Sequence, residues 1–196
     1  MNSNKHTLSL YCKSYINDLH RAIKLCQSVE LYNSDQIPFY MSVPSSDISE
    51  FKKVLPKFVN LIEDEQIDSL NEGWKGQQIV KSQFWKLGYC HNYVCIDSDC
   101  YFIRPFTTGD FMFDNQTPYT VCHEYKHFFE FLEKHPVGFD PYESFVKERL
   151  SIMNLFGRSG TIYDFGPGPT IWSEKVWRSL EEKYLQPNNL TFANLI

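Results

Sequence analysis

No apolar run in this sequence approaches the roughly 18 residues needed to cross a bilayer, so no transmembrane span is expected. The first residues, Met1 to His6, are polar and lead straight into a strand-like run, which predicts no secretory signal. None of the six cysteines (Cys12, Cys26, Cys90, Cys95, Cys100 and Cys122) stands in a C-x-x-C pair. Cys90, Cys95 and Cys100 recur every fifth residue, a spacing that suits neither a zinc knuckle nor one face of a strand. They read as reduced, mostly buried thiols of a cytoplasmic protein. Basic residues are outnumbered: 19 Lys and Arg against 24 Asp and Glu give 19 − 24 = −5. That deficit argues against nonspecific nucleic-acid binding, which depends on clustered cations neutralising phosphates. Internal repeats and low-complexity tracts are also lacking.

What is present is a globular composition. Aromatic residues make up 16% of the 196-residue chain, far from the aromatic-poor make-up of disordered sequences. A chain of this length buries about 70% of its unfolded surface and suits a single domain without disulfides or zinc.

Periodicity divides the first half into alternating strands and helices. Thr7–Cys12, Phe39–Val43, Phe58–Ile62 and Asn92–Ile96 read as strands. The helix between the first two has Asn17 or Asp18 as its cap and Leu19, Ile23, Cys26 and Val29 as its apolar stripe. The next begins at Asp47, with Glu50 three residues on as in a capping box, and the third runs from Lys75 to Leu87, ended by Gly88. Such alternation predicts an α/β fold with a mostly parallel sheet flanked by helices. The second half is less regular. Tyr119–Cys122 and Thr161–Phe165 are strand candidates, and Tyr125–His135 and Tyr142–Phe156 are helix candidates. Pro167–Trp172 reads as a rigid turn, with Trp172 packed on the core, before a helix capped by Ser173. A further apolar pattern starts at Leu190 and stops at Ile196, so the expectation is either a naturally short chain or the front part of a longer one.

Three constellations carry chemistry. Asp97-Ser98-Asp99 follows the apolar run NYVCI, placing two carboxylates at a strand exit, where open parallel sheets bind ligands. Such a pair can hold Mg²⁺ or Mn²⁺ and leave coordination positions for phosphates. Chance alone yields about 0.6 D-x-D matches in this composition, and a solvated turn is the plain alternative. His123-Glu124-Tyr125-Lys126-His127 matches H-E-x-x-H, whose two histidines share a helix face and can bind zinc. Lys126 beside the metal opposes that reading, and a polar helix start is its alternative. In Trp74–Lys81, the side chains of Gln77, Gln78 and Lys81 fall on one helix face, facing either a ligand or water.

The order of these motifs resembles a known family. Lys13-Ser14-Tyr15 leaves the first strand, and Asp18-Leu19 leads into a helix carrying Arg21, Leu25 and Ser28. A Gly-Trp-x-Gly-Gln-Gln-x-x-Lys helix spans Gly73 to Lys81. Cys95-Ile96-Asp97-Ser98-Asp99 precedes Phe102-Ile103-Arg104-Pro105-Phe106, and Pro169-Thr170-Ile171-Trp172-Ser173 precedes the last helix. The pattern is similar to the GT-A-type glycosyltransferases, in particular a bacterial polysaccharide-associated group, over about residues 7 to 195. The resemblance implies a GT-A-like (Rossmann-like) single domain over residues 1–196. Residues 1–106 would form its nucleotide-binding half and residues 107–196 its acceptor-side half.

By the same resemblance, Asp97 and Asp99 form the D-x-D pair that holds Mn²⁺ or Mg²⁺ on the donor diphosphate, with Asp99 the direct ligand. Ser14, Tyr15, Asp18, Gln78, Lys81 and Ser98 contact the donor nucleotide, and Trp172 borders the sugar or acceptor. The catalytic base is unassigned, with Asp164 and Glu174 both open. Members of the group continue past the last helix, so the resemblance implies a chain truncated at Ile196.

The expected function is therefore metal-dependent transfer of a sugar from a nucleotide-sugar donor to a glycan or lipid-linked acceptor in surface polysaccharide synthesis. The expected location is the cytoplasm, with peripheral association at the inner face of the membrane, and nucleic acid is not an expected partner. Two alternatives stay open. One is a zinc metallopeptidase through His123, Glu124 and His127; the other is a catalytically inactive nucleotide-sugar binding subunit.

Overall fold

A computed structural model of the chain describes residues 5–68, 73–121, 130–131, 134, 141–162 and 169–195. Five strands form one sheet: β1 (His6–Lys13), β2 (Phe39–Val43), β3 (Val59–Glu63), β4 (Cys90–Asp97) and β5 (Thr170–Ser173). Their order is β3-β2-β1-β4-β5. The first four are mutually parallel, and β5 adds to the edge of β4 antiparallel. The fold is therefore α/β with a mostly parallel sheet, as the alternation predicts. Helices α1 (Leu19–Tyr32), α2 (Ile48–Val54) and α3 (Gly73–Gln83) connect the parallel strands.

Alternation along the strands assigns the two faces. Leu8, Leu10 and Cys12 of β1, Phe39, Met41 and Val43 of β2, and Val94 and Ile96 of β4 pack with Leu25, Cys26 and Val29 of α1 and Phe51 of α2. The intervening residues Tyr11, Tyr40, Tyr93 and Cys95 pack on the other face with Val80 of α3 and with Phe84 and Trp85 just beyond it. Phe84 stacks on Tyr11 with ring centroids 4.0 Å apart. β1 has neighbours on both edges and both faces, which is why every residue from Leu8 to Lys13 is buried, the polar Ser9 and Lys13 included.

Several local expectations meet different outcomes. The helix predicted over Lys75–Leu87 is α3 followed by a 3₁₀ turn over Phe84–Leu87, and Gly88 ends it in the left-handed region at φ +73°. Asp47 and Glu50 form no capping box: the Asp47 carboxylate accepts the Ile16 N–H at 2.8 Å, and Glu50 pairs with Lys53. Asp18 precedes α1 but makes no side-chain cap, because Arg21 and Ser98 hydrogen-bond its carboxylate instead. Ser173 likewise precedes its helix without a side-chain cap. Tyr119 to Val121 are not a strand, nor are Thr161 and Ile162. Of the predicted Tyr125–His135 helix, residues 130, 131 and 134 are described and are helical. The segment read as a rigid turn ends in β5, whose Thr170–Ser173 run takes the open edge of β4.

The chain divides into two compact units, Met1–Tyr119 with Gly168–Ile196, and Thr120–Pro167. The first holds the sheet, α1–α3, and the final helix α5 (Glu174–Leu180), which a π turn extends through Leu185. In the second, α4 (Pro141–Leu155) is the long described helix. No helix of the described residues is long and apolar enough to cross a membrane.

Candidate functional site

The chain runs outward from β1 to β2 and β3, then returns to the far side of β1 as β4. Between β1 and β4 the connections diverge, and in open α/β sheets the crevice at the carboxyl ends of such strands is where ligands bind. Lys13 ends β1, Asp97 ends β4, and the two are register partners. Both share the alternation of Tyr11 and Cys95, which places them on the α3 face of the sheet.

A cavity of about 240 Å³ opens there, lined by Lys13, Tyr15, Asp18, Trp74, Gln77, Gln78, Lys81, Asp97, Ser98 and Asp99. Trp74, Gln77, Gln78 and Lys81 are spaced i, i+3, i+4 and i+7, so a single stripe of α3 forms one wall. Asp97 to Asp99 form the strand exit, where the Cys100 N–H bonds back to the Asp97 carbonyl at 3.0 Å. Trp74 is 67% exposed although it belongs to the cavity wall.

The charges are arranged in pairs. Lys81 Nζ donates to Asp97 Oδ1 at 2.6 Å, its own side chain buried and that of Asp97 largely exposed. Burial pushes the Lys81 ammonium down, yet the neighbouring Cys95 thiol and Asp97 carboxylate outweigh it and leave its pKa above the ordinary value. Lys13 Nζ contacts Asp64 Oδ2 at 2.8 Å and donates to the Ser14 carbonyl at 2.7 Å. Burial pushes the Asp64 carboxyl up, while Lys13 and Ser42 pull it back without cancelling the rise. Asp18 pairs with Arg21 at 2.9 Å, and Ser98 Oγ lies 3.4 Å from its other oxygen. With Lys13 offset by Asp64 and Asp18 by Arg21, both outside the wall, Asp97 and Asp99 are left facing the single cation Lys81.

Eight residues singled out from the sequence thus meet at one place: Tyr15, Asp18, Gln77, Gln78, Lys81, Asp97, Ser98 and Asp99. Ser14 does not line the cavity; it is buried, its N–H bonds to the Ser42 carbonyl, and its Oγ has no partner. Trp172 sits on β5 among Tyr93 and Trp177, at ring-centroid distances of 5.8 and 4.9 Å, rather than on the cavity wall. Glu174 is held by Lys5, Arg178 and His91 at the start of α5. His123, Glu124, His127, Cys122 and Asp164 lie outside the described residues. Lys13 and Trp74, to which the motifs assign no role, also belong to the wall; strand parity for Lys13 and helix spacing for Trp74 are the signals that place them.

Among the described residues, no three His, Cys, Asp or Glu side chains converge into a ready-made metal cage. The five described cysteines, Cys12, Cys26, Cys90, Cys95 and Cys100, are free thiols, and all but Cys100 are buried. Asp97 and Asp99 do form a pair of hard oxygen donors on the cavity wall. That donor set suits Mg²⁺ or Mn²⁺, which take one or two protein carboxylates and complete their shell with substrate oxygens and water.

The comparison with curated proteins gives no match. Residues 5–187, which include the whole cavity wall, match a family of unknown function, DUF6492. The chain belongs to the DUF6492 family.

Proposed function

We propose that the chain is a metal-dependent glycosyltransferase of GT-A type, moving a sugar from a nucleotide-sugar donor to a glycan or lipid-linked acceptor. The observation that carries this reading is the convergence of Asp97, Asp99, Lys81, Asp18 and Tyr15 on one cavity at the β1/β4 switch point. Asp97 and Asp99 would hold Mn²⁺ or Mg²⁺, which supplies charge neutralisation to a diphosphate leaving group. Lys81 fixes the Asp97 carboxylate through its 2.6 Å hydrogen bond, so the acid is oriented before any ligand arrives. The amides of Gln77 and Gln78 offer donors and acceptors to ribose or sugar hydroxyls. Tyr15 and Trp74 offer flat apolar faces to a base or sugar ring.

The reading is tested by incubating the protein with a panel of nucleotide sugars and Mn²⁺ and measuring release of free nucleoside diphosphate. Release by the wild type that is lost in Asp99→Asn supports it. Donor binding without release, across a range of glycan and lipid-linked acceptors, would favour a nucleotide-sugar binding subunit. Neither binding nor release would overturn the reading.

A further inference from the structure

The charge pairs on the cavity wall differ in where the acid stands. Lys81 is matched by Asp97, which belongs to the wall itself. Lys13 is matched by Asp64, which does not, and whose side chain is only 4% exposed. Lys13 lines the cavity with a side chain only 6% exposed.

An ammonium group carries three N–H donors and no acceptor. The protein takes two of them, through Asp64 Oδ2 and the Ser14 carbonyl. Buried donors and acceptors are nearly always satisfied, so a buried lysine with a donor left over, on the wall of a cavity, calls for an oxygen from a ligand or solvent. Two oxygens beside it, Ser14 Oγ and Asp64 Oδ1, are also buried without hydrogen-bond partners, and the carboxylate oxygen calls for a donor as the ammonium calls for an acceptor. The surplus sits at the end of β1, one strand from Asp97 and in register with it.

We infer that Lys13 is a ligand-binding residue, whose remaining N–H donates to an oxygen of the nucleoside diphosphate bound beside Asp97 and Asp99. This rests on the donor-binding reading above and adds a contact to it. Because Asp64 cancels its charge, Lys13 reads the position of an acceptor oxygen more than the charge of the ligand.

The test removes the buried pair together, since removing one member strands the charge of the other. Lys13→Met/Asp64→Leu is compared with the wild type for affinity towards nucleoside diphosphates with Mn²⁺, folding being checked by circular dichroism. A charge-assisted hydrogen bond lost from the complex predicts affinity weaker by about tenfold or more. Repeating the titration with the nucleoside alone and with inorganic pyrophosphate shows which part of the ligand Lys13 touches, the affected fragment being the one whose affinity falls. Unchanged affinity in the folded double variant overturns the inference while leaving the donor-binding reading intact. A wild type that binds no nucleoside diphosphate overturns both.

Should the double variant not fold, the wild type supplies the test through the ¹⁵N signal of the Lys13 ammonium, assigned by its loss in Lys13→Arg. A shift of that signal on adding nucleoside diphosphate supports the inference, and a signal unmoved at saturation overturns it.

Discussion

Lys81 Nζ lies 2.6 Å from Asp97 Oδ1, tying the last turn of α3 to the last residue of β4 at the candidate site. The contact neutralises a buried ammonium, and it also sets a positive charge against one of the two carboxylates proposed to hold a cation. Lys81→Met should therefore strengthen Mn²⁺ binding in the absence of nucleotide by roughly three- to tenfold, the effect of one unit charge removed from a partly exposed site. Titration calorimetry with Mn²⁺ alone checks this. Weaker binding would mean that the hold of Lys81 on Asp97 matters more than its repulsion of the cation.

Trp74 and Phe84 lie on the same stretch of chain and should behave oppositely. Phe84 is 1% exposed and stacked on Tyr11, so Phe84→Ala should cost about 3–5 kcal/mol in urea unfolding. Trp74 is largely exposed, and Trp74→Ala should shift stability by no more than about 0.5 kcal/mol. The same substitution should weaken nucleotide binding and remove most of the ligand-induced quenching of tryptophan fluorescence.

Glu174 gives the acid limb of stability a named contributor. Burial pushes its carboxyl up, but hydrogen bonds from Lys5 and Arg178, with a further contribution from His91, bring it net below the ordinary carboxylate value. An acid depressed in the folded state stabilises above its unfolded pKa, and that contribution is lost as pH falls through the folded one. Thermal scans should therefore show Glu174→Gln less stable than wild type near neutrality, with the gap closing as pH drops below about 4. A gap that persists at low pH would assign the loss to packing instead.

Thiol chemistry should separate Cys100 from its neighbours in the sheet. Burial pushes the thiols of Cys26, Cys90 and Cys95 up to about 12 and that of Cys12 up as well. Cys100 is exposed and follows Asp99 directly. Of these five, native labelling with a thiol reagent, mapped by peptide mass spectrometry, should modify Cys100 first. Mn²⁺ with a nucleoside diphosphate should slow that modification, whereas equal labelling of Cys95 would contradict the packing of β4.

The parallel core was legible because its signals are local: β1 and β4 carry the apolar stretches Leu10–Cys12 and Tyr93–Ile96 bounded by polar residues, and Gly88 stops the helical run that follows α3 where a left-handed residue is required. β5 was not, since a four-residue strand takes its identity from the open edge of β4 rather than from its own sequence. The capping box at Asp47 failed for a related reason. A carboxylate beside a loop N–H finds Ile16 as readily as its own helix, and sequence spacing cannot rank the two. Within the site, the D-x-D acids and the Gln78–Lys81 stripe were readable from spacing alone. Lys13 needed the strand register: its parity with Tyr11 puts it on the α3 face, and its partner Asp64 is 51 residues away in sequence.

The most direct test of the account is thermal unfolding against a panel of nucleoside diphosphates, with and without Mn²⁺, in the wild type and in Asp97→Ala/Asp99→Ala. Ligand at a hundredfold excess over its Kd stabilises the folded state by about 2.7 kcal/mol. The account predicts a stabilisation by at least one nucleoside diphosphate that requires Mn²⁺ and disappears in the double variant. A well-folded wild type that responds to none of them, or a response that survives loss of both aspartates, would contradict it.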